Sequence, residues 1–128
     1  MSGDCTNKLL TPTLKQGGAG STGDNKIAWT APCDCTLIAC SCALETLGGG
    51  GSGATTVMLR NDTDTLDMLS AVMSIAHDAD PHVATGTVST TAANVHLDLG
   101  DVVEVDMDAE ATGAAEVGLV VYPVFVGR

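Results

Sequence analysis

The sequence predicts an all-β domain, a β-sandwich or barrel, and three observations carry that reading. Apolar and polar residues alternate with a period of two along most of the chain, clearest at residues 102–110 (VVEVDMDAE). The alternating segments are short and end at turns rich in Gly, Asp and Thr. No helical period of 10 to 15 residues alternates with them, as a parallel α/β sheet would require. The chain has 128 residues, enough for one domain with one core. Its aromatics are Trp29, Tyr122 and Phe125, so that core must be built from Val, Leu, Ala, Met, Ile and Cys.

Residues 1–25 read as an extended N-terminal arm and 26–128 as the sandwich domain. The arm holds Gly17-Gly18-Ala19-Gly20 and has few large apolar residues, with Leu9 and Leu10 as its adjacent pair, too little to pack on itself. Residues 25–30 form a short strand stopped by Ala31-Pro32, because Pro cannot donate to a ladder. Residues 33–47 form one long strand or two joined by a bend, followed by the flexible Gly48-Gly49-Gly50-Gly51 loop. Residues 54–60 are a strand, Asn61-Asp62-Thr63-Asp64 a tight turn, and 65–68 a short return strand. Residues 69–77 fit both periods and are read as a strand, because no helix cap precedes them. A turn at 78–81 leads to an extended segment over 82–91. Residues 95–99, the Gly100-Asp101 turn and residues 102–108 form strand, turn and strand. A loop over 109–115 precedes the last strand, 116–126.

The five cysteines are Cys5, Cys33, Cys35, Cys40 and Cys42. An odd number fits a closed set of disulfides poorly. The one-residue spacing within Cys33-Asp34-Cys35 and Cys40-Ser41-Cys42 is tighter than zinc ligand pairs use. Alternation puts Ile38, Cys40, Cys42 and Leu44 on one face, and Cys33, Cys35 and Leu37 on the other. The expectation is reduced, buried cysteines, as in a chain folded in a reducing cytoplasm. The alternatives are a disulfide that involves Cys5 or Cys33, and a metal site.

Charge excludes several functions. The net charge is −11, and beyond Lys26 two cations, Arg60 and Arg128, stand against fourteen acids. Nucleic-acid binding and docking on anionic membranes both need clustered Lys and Arg, so neither is expected. In the last strand Val117, Leu119, Val121 and Phe125 lie on one face and Val120, Tyr122, Val124 and Val126 on the other. Both faces are apolar, so something must cover the outer one: the chain's own arm, a loop or a subunit interface. Val120, Tyr122 and Val124 are the candidate interface on the domain, and Leu9 and Leu10 the candidate anchor on the arm. The other face of residues 102–110, with Glu104, Asp106, Asp108 and Glu110, reads as solvated.

No catalytic constellation stands out. His77, Asp78, Asp80 and His82 are acceptable metal ligands, but no third cluster must converge on them, and an exposed acidic turn accounts for them. Asp62-x-Asp64-x-x-Asp67 opens like a calcium loop but lacks its Gly and its closing Glu. The four glycines are not followed by Lys-Ser/Thr, so they are no phosphate loop. Neither a cofactor nor an enzymatic activity is expected.

Trp29-Thr30-Ala31-Pro32, Val57-Met58-Leu59-Arg60-Asn61-Asp62-Thr63, the run from Gly100-Asp101-Val102 to Asp108 and Gly118-Leu119-Val120-Val121 together resemble small structural proteins of tailed bacteriophages. These occur as capsid decoration (cement) proteins and in tail fibres or spikes. The resemblance covers about residues 26–126 and departs from the pattern at the Cys-rich second strand and at 77–92. It implies a jelly-roll sandwich and a homotrimer on the virion surface that binds the major capsid protein. A tail-fibre or receptor-binding module is the alternative, although such a module would be expected to carry more sugar-stacking aromatics. No catalytic residue follows from the resemblance.

Overall fold

The computed structural model describes residues 5–16, 23–47, 53–109 and 117–128. In chain order the elements are β1 (Leu9–Leu10), β2 (Leu14–Lys15), β3 (Gly23–Thr30), β4 (Cys35–Thr46), β5 (Ala54–Asn61) and β6 (Leu66–Asp67). They continue with β7 (Met73–Ala76), β8 (Val83–Thr85), α1 (Ala92–Val95), β9 (His96–Leu97), β10 (Val102–Ala109) and β11 (Val117–Gly127). In the first sheet β1 and β2 run along one edge of β11, β11 pairs with β4, and β8 and β9 pair with the far edge of β4. In the second, β3, β10 and β5 are neighbours, and β6 and β7 both pair with β5. All of these pairings are antiparallel. If β1 with β2, β6 with β7, and β8 with β9 are each counted as one interrupted strand, two four-stranded sheets exchange strands in the order of a jelly roll. The all-β sandwich expected from period-two patterning is therefore the fold observed.

The interior is aliphatic and sulfur-rich, as the composition requires. Cys35, Leu37, Cys40, Cys42, Leu119, Val121 and Phe125 from the first sheet meet Val57, Leu59, Met73, Ile75, Val103, Val105 and Met107 from the second. Phe125 stacks on Trp29 across the two sheets, with ring centroids 4.8 Å apart and planes 16° apart.

The long second strand corrects the parity reading. Cys35 and Leu37 are buried, and so are Cys40, Cys42 and Leu44, although the two sets differ in parity. A bulge reconciles them: Phe125 lies opposite Leu37 and Val124 opposite Ala39, so Ile38 is the extra residue. One extra residue flips every later side chain to the other face.

Other boundaries also differ from expectation. The strand expected over 69–77 is confined to Met73–Ala76, and the extended segment over 82–91 pairs only at Val83–Thr85. Ala92–Val95 is a single helical turn, which places Val95 in α1 and leaves only His96–Leu97 as strand. So short a turn has too few positions to show a helical period.

Residues 5–16, within the segment expected as an arm over 1–25, lie on the sandwich. Leu9 and Leu10 pair with Val126 and Phe125, and Leu14 and Lys15 with Val121 and Val120. β3 begins at Gly23, ahead of residue 26. Between the two ladders Thr11-Pro12-Thr13 passes the stretch of β11 that holds Pro123, where neither proline has an N–H to donate. Buried Leu14 and half-buried Leu10 contribute at most about 1.5–3 kcal/mol each. Fixing each backbone residue costs about 1–2 kcal/mol. Two leucines alone cannot hold such a segment, and further ties are present. Cys5 is disulfide-bonded to Cys33, and the Gly127 N–H donates to the Lys8 carbonyl at 2.8 Å. A Cβ at Gly127 would collide with the Cys5 backbone, so this approach needs glycine.

Candidate interaction surface

The outer face of the first sheet is built by the residues that alternate with its core. On β11 these are Val120, Tyr122, Val124 and Val126. Register extends the rows sideways. Val120 lies beside Ala43, and Ala43 beside Val83; Tyr122 lies beside Ser41, and Ser41 beside Thr85. Val124 lies beside Ala39, and Val126 between Thr36 and Leu9. Leu9 is 63% exposed, and Ile38, Val83 and Tyr122 are also exposed large apolar side chains. Strand spacing of about 4.8 Å and a rise of about 3.4 Å per residue give the face roughly 300 Å². Thr36, Ser41 and Thr85 interrupt its apolar side chains, so its apolar area lies within the range of the largest patch on an ordinary monomer, which is often functional.

Its charge sets it apart from the rest of the chain. Among the described strand positions of this face, Glu45 is the one carboxylate and Lys15 the one ammonium, both near the Val120 end. A chain of net charge −11 thus presents one sheet face nearly free of acid. Gly118 shapes the same end. Its φ is +74°, and a Cβ there would come within 2.6 Å of Glu45 Cβ.

Of the five residues expected at an interface, Val120, Tyr122, Val124 and Leu9 come together on this face. Leu10 points inward and packs against the core. Ile38, Ala39, Ala43 and Val83 were not anticipated. The bulge hid the first three, and Val83 is legible only through its pairing with β4.

The opposite sheet carries the acidic stripe, and its described members Glu104 and Asp106 are not solvated. Glu104 is 4% exposed and Asp106 6%. Glu104 lies between Ala28 and Arg60 in the register, and its Oε1 is 3.9 Å from Arg60 Nε. Arg60 makes its shorter ion pair, 3.2 Å, with Asp67. Burial pushes the Glu104 carboxyl up to about 7, and Asp106 and Asp62 raise it further, while Arg60 opposes them. Asp108 and Glu110 fall outside the described side chains.

Of the remaining candidates, His77, His82 and Asp64 take part in local hydrogen bonding. His77 Nδ1 lies 3.3 Å from the Gly53 carbonyl, and the His82 carbonyl accepts from the Leu44 N–H. Among the described residues no three His, Cys, Asp or Glu side chains come together as metal ligands. Asp64 and Asn61 close their turn reciprocally, through Asp64 N–H to Asn61 Oδ1 at 3.2 Å and Asn61 Nδ2 to Asp64 Oδ2 at 3.1 Å. The Gly48–Gly51 loop lies outside the described residues.

Cys5 and Cys33 are joined, the disulfide alternative, while Cys35, Cys40 and Cys42 are free and buried as expected. Burial pushes the Cys40 thiol up to about 12, and Cys35 and Cys42 to about 11. The thiolate is the reactive form, so these groups should be inert. Iodoacetamide should leave the folded chain unmodified and add three labels once it is unfolded without reductant, counted by intact mass. Labelling of the folded chain would show that one of these thiols is accessible.

The fold is shared with chains from phage capsids. Over 94% of this chain and 85% of the other, it superposes on a chain of the cyanophage Pam1 capsid asymmetric unit, with a TM-score of 0.63 at 10% identity. A chain of the capsid of Ralstonia phage GP4 matches over 98% of this chain and 88% of its own length, with a TM-score of 0.63 at 17% identity. No protein-family model matches the chain, and no curated protein does.

Proposed function

We propose that this chain is a structural protein of a tailed-phage virion, a decoration (cement) protein on the outer surface of the head. The observation that carries the reading is the match of nearly the whole chain to two chains of phage capsids. Each match covers most of both chains. In this reading the protein is a homotrimer that binds the major capsid protein. It takes no cofactor, catalyses no reaction and binds neither nucleic acid nor membrane.

The neutral face of the first sheet supports the reading physically. An acidic body repels other acidic surfaces, and the face around Tyr122 lets a partner approach with little like-charge cost. Its roughly 300 Å² is less than the ~800 Å² per partner of a standard interface, so adjoining loops must add contact. Three copies held together would multiply weak individual contacts.

The test uses capsids lacking the protein and purified full-length chain. Val124→Asp should reduce occupancy by about tenfold or more, because an unpaired charge is costly to bury. Its far-ultraviolet circular dichroism should be unchanged, since Val124 is not in the core. Undiminished decoration by this variant and by Val120→Asp would show that the face is not the contact. Failure of the unmodified chain to bind capsids would refute the cement reading itself.

A further inference from the structure

We propose that the Cys5–Cys33 disulfide is a latch on the open edge of β11, and that reduction lets this edge take residues 5–16 of a second copy of the chain. The latch holds a weakly paired segment. β1 and β2 are ladders of two residues each, separated by Thr11-Pro12-Thr13. Leu14 is the buried side chain of the segment, Leu10 is half-buried, and Leu9 faces out. Around Cys5 the other ties include the Asn7 N–H to the Gly127 carbonyl, the Gly127 N–H to the Lys8 carbonyl and a longer bond from Thr6 Oγ1 to the Arg128 carbonyl at 3.4 Å.

Removal of the segment uncovers the β11 edge from Leu119 to Gly127. Gln16 N–H donates to the Leu119 carbonyl at one end, and Asn7 and Lys8 bond Gly127 at the other. A bare edge of this length is a template for another strand. The occupant that fits is the same segment from a second copy. It restores Leu9 opposite Val126 and Leu14 opposite Val121, and returns Leu14 to its site in the core, so no new interface has to be invented.

The chemistry is thiol–disulfide exchange with a dithiol. One reductant thiolate attacks the sulfur of Cys5, which is half-buried where Cys33 is buried. The Cys5–Cys33 bond breaks and Cys33 leaves as a thiolate that takes a proton. The second reductant thiol displaces Cys5 and closes its own disulfide. Two electrons and two protons pass to the chain. Cys35, two residues from Cys33, does not compete for Cys5, since it is buried and its thiol stays protonated.

The test has two arms on the full chain. In hydrogen exchange, dithiothreitol should accelerate amides within 5–16 by about tenfold or more while those of β4 and β10 stay protected. In the second arm Cys5→Ser and Cys33→Ser chains are mixed under reductant and then oxidised. Neither can close the bond alone. Exchange between copies leaves Cys33 of one beside Cys5 of the other, and a covalent heterodimer should appear on a non-reducing gel. Neither variant alone should yield it. A mixture that stays monomeric on that gel, or exchange within 5–16 that is indifferent to reductant, would overturn the proposal. If one variant fails to fold, reduction and concentrated reoxidation of the unmodified chain gives the same readout, a reductant-sensitive dimer or none.

Discussion

Phe125→Ala should destabilise the protein by about 3–5 kcal/mol, the range for removing a buried aromatic without refilling its space. Phe125 is fully buried, is the largest side chain so placed, and is the only Phe in the chain. It stacks on Trp29 from the other sheet, so its loss removes the aromatic contact that joins the two layers. Its position opposite Leu37 depends on the bulge at Ile38, and β-sheet backbone on both sides limits collapse into the void. The thermal midpoint should fall by roughly 10–20 °C for a domain of this size. Phe125→Leu should recover part of the loss by restoring volume. Urea unfolding of the three proteins measures the difference. A loss below about 1 kcal/mol would mean that the sandwich refills the site, against the packing described.

How far such features are legible in the sequence depends on whether a strand keeps its parity. In β10 the alternation is unbroken from Val103 to Met107, and the inward residues Val103, Val105 and Met107 are the ones that pattern assigns. In β4 the same logic fails midway, because a bulge is a backbone event with no fixed residue signature. The outer face inherits that failure: Val120, Tyr122 and Val124 could be assigned from β11, but their neighbours Ile38, Ala39 and Ala43 could not. The N-terminal segment failed for another reason. Its composition shows little apolar surface, but not that a disulfide to Cys33 and the tight approach to Gly127 tie it to the sandwich. Residues 92–95 form a single turn of helix, too short for any period to register.

Glu104 departs most from what sequence alone would suggest, and its pH dependence should show it. Alternation correctly puts it on the outer side of β10, but an outer position is not always a wet one, and this one is 4% exposed. Burial pushes its carboxyl up to about 7 from the ordinary 4.5, with Asp106 and Asp62 adding to the shift and Arg60 reducing it. In the unfolded chain Glu104 ionises near 4.5, so the unfolded state releases its proton first as pH rises. The stability this group contributes is full below pH 4.5, falls between 4.5 and about 7, and is lost above that. At about 1.4 kcal/mol per pH unit the loss amounts to about 3 kcal/mol. Glu104→Gln keeps the shape and removes the proton. It should match the parent protein at pH 4 and exceed it by up to about 3 kcal/mol at pH 8. Arg60 keeps Asp67 as a partner in the variant, so no cation is left stranded. Urea unfolding of both proteins across this range measures the gap. A gap that does not widen with pH would mean that Glu104 ionises like an exposed carboxylate and that its burial carries no electrostatic cost.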